Sequence, residues 1–189
     1  MNAIREFNLG VDLAQASFEA AIAPRGAQLG HWPELSTISI DSPPDSADGI
    51  RRLRAWLREQ CPGATCARVV VESTGKLSRR FARALDGRGL PPVIIVNPRR
   101  TKAFGDSLGV RDKTDRIDAA ILAMYAKAHR PKPKPQPSAA QEQLCELTRL
   151  REVAVQDRTA WGQCLGESES PAARKMIMGM IKNLDKKVK

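Results

Sequence analysis

Three strand-length signals crowd the first forty residues, and single strands alternating with helices follow them; that order constrains the fold more than any other feature. Residues Phe7 to Ala23 read FNLGVDLAQASFEAAIA, two apolar runs around a polar centre, which predicts two strands and a tight connection. Leu35 to Ile40 (LSTISI) alternates as a third strand does. The stretch from Asp41 to Asp48 is rich in Ser, Pro and Asp and reads as a loop. Ser46 or Asp48 then caps a helix in which Ile50, Leu53, Trp56 and Leu57 recur at helical spacing, closed by Cys61-Pro62-Gly63. Arg68 to Glu72 (RVVVE) is the β-branched run of a buried strand. Lys76 to Leu85 is helical, with Leu77, Phe81 and Leu85 on one face, and Gly87 and Gly89 end it. Val93 to Val96 (VIIV) is a last buried strand, stopped by Asn97-Pro98. Thr114 or Asp115 opens a helix whose apolar face is Ile117, Ile121, Leu122 and Tyr125.

The order β-β-β-α-β-α-β-α predicts an α/β fold, a mixed sheet with flanking helices. The RNase H-like (RuvC-like) fold has that order. Residues 1–130 form this domain in our reading. Residues 131–137 follow as a Pro-rich linker, in which Pro at every second position favours an extended spacer. Residues 138–189 are helical. Ser138 can cap a long helix in which Leu144, Leu147, Leu150 or Arg151, Ala154, Trp161 and Leu165 recur near heptad spacing, as in one strand of a coiled coil or in a helix packed on its own domain. Ser170-Pro171 starts another helix, with a stripe of Ile177, Met180, Ile181, Leu184 and Val188. These stripes need a cover, and a homo-oligomer through the C-terminal helices would supply one.

Charge is spread unevenly. Residues 1–50 hold 2 basic and 7 acidic side chains, a net of −5, whereas residues 51–130 hold 18 and 7, a net of +11. A segment that basic suits a polyanion, because Lys and Arg that neutralise phosphates release counterions; the plainer reading is a basic solvated surface. With aromatics at 4%, a base-stacking platform of several rings is not expected. No apolar run approaches the length of a membrane span, and no secretory signal is visible. Cys61, Cys66, Cys145 and Cys164 form no CxxC pair and read as free thiols of a reducing cytoplasm. With only His31 and His129 available, a His-rich zinc site or a Ser-His-Asp triad is not expected.

Four carboxylates stand where chemistry would want them. Asp12 interrupts the apolar strand LGVDL, which is costly unless the charge is paired or binds a metal. Glu72 closes the run VVV, at the strand end where sheet-based sites open. Asp115 and Asp118, three apart at a helix start, share one face. Carboxylates from separate elements can hold Mg2+ or Mn2+, and two such ions about 4 Å apart can clamp the attacking and leaving oxygens of a phosphodiester. Structural roles compete: Asp115 as a helix cap, Glu72 paired with Arg79 or Arg80, Asp12 in a hairpin turn. Around the four lie candidate nucleic-acid contacts. Thr74 and Lys76 follow Glu72 in a small polar turn that offers backbone N–H groups to an anion. Arg99, Arg100 and Lys102 follow the last strand, and Lys113 and Arg116 flank Asp115.

The elements GVDLA, VVVESTG, VNPRRTKAFGDSLG and KTDRIDA, in that order, resemble the N-terminal domain of the DEDD-type transposases of bacterial insertion sequences, the family of the pilin gene inversion recombinase. The later ESPAARKMI and NLDKKV are similar to the family's helical region. The resemblance implies a RuvC-like fold and a metal-binding tetrad of Asp12, Glu72, Asp115 and Asp118. It also implies Mg2+ or Mn2+, two ions, as cofactor, and DNA strand cleavage and exchange that moves a mobile element. A structured guide RNA, bound beside DNA in the bacterial cytoplasm, belongs to the same expectation. Ser73 stands where the family often has Pro. The family's C-terminal domain, which provides a nucleophilic Ser, has no counterpart in this chain. The alternative reading is a catalytically silent RNA- or DNA-binding and oligomerisation module. A sugar-kinase-like or actin-like ATPase, which also opens with GVD on a first strand, is disfavoured by the lack of a Gly-rich adenosine loop.

Overall fold

The computed structural model describes residues 4–110, 114–135 and 137–188. The elements are β1 (Glu6–Leu13), β2 (Phe18–Pro24), a short 3-10 segment (Leu29–Glu34), β3 (Ser36–Ile40), α1 (Ala47–Gln60), β4 (Thr65–Glu72), α2 (Lys76–Leu85), β5 (Val93–Val96), α3 (Pro98–Ser107), α4 (Asp115–His129), α5 (Ala139–Glu167) and α6 (Pro171–Val188). Contacts divide the chain into two compact units, Met1–Pro135 and Gln136–Lys189.

In the first unit the strands lie in the order β3-β2-β1-β4-β5. The meander β1-β2-β3 is antiparallel, while β4 joins β1 and β5 joins β4 in parallel. This is the mixed sheet of an RNase H-like fold. Alternate residues of β1 divide its two faces. Phe7, Leu9, Val11 and Leu13 join Phe18, Ile22, Val69 and Val71 beneath α1 and α2, with Leu53, Phe81 and Leu85 buried among them. The opposite face, with Ala21, Ala23, Val70, Ile94 and Val96, is covered by Ala119, Ala120, Leu122, Ala123 and Met124 of α4. The α4 backbone lies unusually close. A Cβ on Gly10 would sit 2.2 Å from the Ala123 nitrogen and 2.3 Å from the Ala119 carbonyl oxygen, so only glycine fits there.

The helix starts use the caps read from sequence. The Ser46 hydroxyl accepts from the Gly49 N–H at 3.0 Å, and Thr114 accepts from Ile117 at 3.3 Å. Asp115 therefore does not cap its helix; it is the first helical residue. One helix escapes the sequence reading. Asn97-Pro98 ends β5, but it also starts α3: Asn97 accepts from the Arg99 N–H at 2.9 Å, and Pro98 occupies the first turn, where a missing N–H costs nothing. The element order thus gains a helix between β5 and α4.

The second unit is a pair of helices packed on each other. Ser138 and Gln141 form a reciprocal capping box at the start of α5. Arg158 pairs with Asp185 at 2.5 Å, and Arg174 donates to the Leu165 and Ser168 carbonyls that α5 leaves open. Ile177 is buried, and Ala154, Trp161 and Leu165 are half-buried. Leu144, Leu147 and Leu150, toward the start of α5, are 65%, 56% and 59% exposed.

Candidate metal centre

The site assembles at the carboxyl ends of β1 and β4. Val11 and Val71 are the last paired residues of the two parallel strands, and Asp12 and Glu72 each come next. Side chains alternate along a strand, and Val11 and Val71 join the core beneath α1 and α2, so Asp12 and Glu72 both stand on the α4 face. On the other side of β1, Asp12 lies directly opposite Glu19 of β2, which shares that face. Neighbouring strands are about 4.8 Å apart. Three carboxylates, from Glu19, Asp12 and Glu72, therefore line up in one row across three adjacent strands. The first turn of α4, with Asp115 and Asp118, comes to the same end, carried there by the close docking of α4 on Gly10.

Electrostatics marks Asp12 as the centre of this group. Its carboxyl is pushed up from 3.8 to about 6, first by burial, then by the negative charges of Asp118, Asp115 and Glu72; a hydrogen bond from the Leu13 backbone works the other way. The other three predicted carboxylates are thus within electrostatic reach of Asp12. The hairpin-turn role for Asp12 does not apply, since it lies within β1. Glu72 is not held by Arg80, which pairs with Asp45 at 2.5 Å. It accepts instead from the hydroxyl of Thr101, a buried residue of α3 whose Oγ1 also lies 3.0 Å from the Pro98 carbonyl oxygen. Glu19 faces Arg116, with Oε2 3.9 Å from the guanidinium Nε; its side chain is 13% exposed, whereas that of Arg116 is 67% exposed.

The donor set suits a hard divalent cation. It offers carboxylate oxygens only, and its mutual repulsion is what such a cation would relieve. Among the described residues no three Asp, Glu, His or Cys side chains are gathered tightly enough to enclose an ion as they stand.

The predicted nucleic-acid residues distribute around this end. Thr74 and Lys76 are exposed where β4 passes into α2, on the rim of a cavity shared with Gln15 and Arg80. Gly75, at φ 71°, makes the turn between them and leaves the first turn of α2 without a side-chain cap. Arg99, Arg100 and Lys102 are exposed on α3, the helix that also carries Thr101. Lys113 lies outside the described residues. Arg116 is turned toward Glu19. Two residues of the site escaped the sequence reading. Thr101 was hidden with its helix, although Asn97-Pro98 signals a cap followed by a first-turn Pro. Glu19 shows only through cross-strand register, which an acidic residue in an otherwise apolar β2 (FEAAIAP) hints at.

The sequence model of a transposase family, the DEDD type of the IS110 elements, matches residues 9–166. The chain belongs to this family. It is similar to the pilin gene-inverting proteins of Moraxella bovis and Moraxella lacunata, each 28% identical over 146 residues, which cover 76% of this transposase-family chain and 41% of the relative. The match thus spans less than half the length of these curated relatives. Among solved structures, Thermus thermophilus RuvC in complex with a Holliday junction substrate is similar at a TM-score of 0.43 and 15% identity, covering 67% of this chain and 96% of that one. A second Thermus thermophilus RuvC structure gives 0.40 and 15%, covering 66% and 95%. No described helix is long and apolar enough to cross a membrane.

Proposed function

We propose that this chain is the divalent-metal-dependent nuclease part of a DNA transposase, acting in strand cleavage and exchange. The observation that carries the reading is the parallel register that sets Asp12 and Glu72 side by side at the ends of β1 and β4, with Asp115 and Asp118 close enough to act on Asp12. Their chain order, Asp-Glu-Asp-Asp, is that of the family's designation. In this reading residues 1–130 are the RuvC-like domain, 131–137 a linker and 138–189 an assembly region. The relatives' remaining length accommodates the domain with the nucleophilic Ser.

Asp12, Glu72, Asp115 and Asp118 would hold Mg2+ or Mn2+, two ions in the fullest form. When bound, they would polarise the scissile phosphate and acidify the attacking hydroxyl. The chain's own part is positional. Thr101 fixes the Glu72 rotamer, and β1 and β4 fix the spacing of Asp12 and Glu72. Asp12, titrating near 6, is largely ionised at neutral pH and ready to ligate. Thr74, Lys76, Arg99, Arg100, Lys102 and Arg116 would grip the DNA backbone, with a structured guide RNA as further partner. A second copy would cover Leu144, Leu147 and Leu150; light scattering at tens of micromolar should then give a mass above the monomer, and a strict monomer counts against it.

The deciding experiment is Mn2+ titration, by calorimetry, of the wild type and of the Asp115→Asn, Asp118→Asn pair. Saturable binding by the wild type that the double variant loses supports the reading; equal binding by both removes it. The alternative, a nucleic-acid-binding module without catalysis, draws on the absence of a ready-made ion cage among the described residues. It predicts DNA affinity indifferent to EDTA and no nicking at any metal concentration.

A further inference from the structure

At the other end of the same sheet lies a second charged feature. A cavity of about 460 Å³ opens where β1 begins, between the last turn of α1 and the turn after α2. Phe7, Leu57 and Leu90 lie along its apolar side; Arg54, Arg58 and Arg88 stand around it, and no carboxylate lines it. Arg54 and Arg58, four apart on α1, share a helix face, and Arg88 lines the cavity from the turn after α2. Among the described residues none of these three guanidinium groups has a hydrogen-bond or ion-pair partner. The neighbouring arginines of α1 differ: Arg51 pairs with Asp48, and Arg52 donates to the Asp41 carbonyl. Gly63 and Gly89 flank the opening at φ 71° and 78°, and a Cβ on either would meet nothing within 4 Å. A ligand can therefore approach the backbone on both sides.

We propose that this cavity is a phosphodiester-binding site, distinct from the carboxylate end and holding a nucleic-acid segment away from the bond being cut. Three unpaired guanidinium forks around one cavity suit phosphate oxygens, which they can engage in pairs. A phosphodiester strand is favoured over an acidic peptide because residues 51–130, which supply all three arginines, carry a net charge of +11, an excess that suits a polyanion. Phe7 and Asp12 are five residues apart on β1 and Ala64 and Glu72 eight apart, so at ~3.3 Å per residue the two ends are roughly 16–26 Å apart. A segment held here flanks the reacting one. The inference rests on the nucleic-acid reading above, but uses none of its residues.

The test is fluorescence anisotropy with the full chain in EDTA, between 50 and 200 mM salt. The probes are a 30-base-pair DNA duplex and a structured RNA hairpin, with polyglutamate as a competitor. Arg54→Ala, Arg58→Ala and Arg88→Ala are combined, with Arg88→Glu alone as a second variant in a turn. The triple variant should bind at least one probe about tenfold more weakly, with a salt slope smaller by about 2–3, close to one for each phosphate that is no longer neutralised. Arg88→Glu should move the same way, and the probe affected tells whether DNA or RNA occupies the site. Wild-type affinity and slope in both variants, or polyglutamate displacing the probe at equal charge, overturns the proposal. Binding by Arg99→Ala/Arg100→Ala, read alongside, separates the two ends. A wild type that binds Mn2+ but loses nothing in the triple variant sinks this site and leaves the nuclease reading standing.

Discussion

The two ends of the sheet differ in the charged groups they gather: carboxylates at one end, arginines around a cavity at the other. At the carboxyl end, burial and the charges of Asp118, Asp115 and Glu72 together keep a proton on Asp12 well above the usual carboxylate range. At the other end, Arg54, Arg58 and Arg88 surround a cavity that no carboxylate lines. Other arginines of the unit have carboxylate partners: Arg51 with Asp48, Arg80 with Asp45, Arg25 with Glu6. A gathering of like charges on a folded surface is the feature most readily used on a ligand. The ends differ in how their charges are held. The acidic end is partly buried and rests on tight backbone packing, so changes there should alter stability. The basic end is a rim of exposed and half-exposed arginines, so changes there should alter binding alone.

The strongest way to break the contrast is Gly10→Ala. The added Cβ would strike the α4 backbone, so the cost should lie at or above the top of the about 1–3 kcal/mol typical of overpacking, read as a shift in the urea midpoint. An alanine variant as stable as the wild type would mean that α4 docks elsewhere. Next in size is the response to metal. Excess Mn2+ at about 100 times its dissociation constant should stabilise the wild type by about 2.7 kcal/mol and leave the Asp115→Asn, Asp118→Asn pair unmoved. Thr101→Val should cost about 1.5–3 kcal/mol, since it takes a donor from a carboxylate; a thermal scan that shows no change would remove Thr101 from the site.

A smaller, pH-dependent effect sharpens the picture. An aspartate at its ordinary value titrates near 3.8 and folded Asp12 near 6, so the folded metal-free protein holds that proton more tightly. The stabilisation is complete below about pH 4 and is lost as pH rises through 6. Asp12→Asn, compared with wild type in EDTA, should therefore gain relative stability between pH 5 and pH 7. A stability difference, variant minus wild type, that stays constant or falls with pH would contradict the convergence of charges. Smallest of all, the triple replacement of Arg54, Arg58 and Arg88 by Ala should leave stability within about 0.5 kcal/mol.

Much of this was legible in the chain. RVVVE and VIIV read as buried strands because β-branched runs of that length have few other uses. Ser46, Thr114 and Ser138 declared helix starts because capping is a contact within four residues. The four carboxylates could be chosen because a charge at the end of an apolar strand, or two charges three apart on a helix, is a local anomaly. α3 was missed through a local ambiguity: Asn97-Pro98 stops a strand and starts a helix with the same two residues. Glu19 was missed for a different reason. Its place beside Asp12 comes from the antiparallel register of β1 and β2, a pairing that nothing within either strand announces.

The sequence alone determined the elements, their order and the residue types able to bind a hard cation, because propensity, capping and hydrophobic period act over a few neighbours. Only the tertiary structure decided that Gly10 must lack a side chain, that Thr101 reaches Glu72, and that three arginines from α1 and the turn after α2 stand around one cavity. Those facts depend on how closely separate elements approach. Approach distances are set by the packing of the whole unit, not by any stretch of chain read on its own.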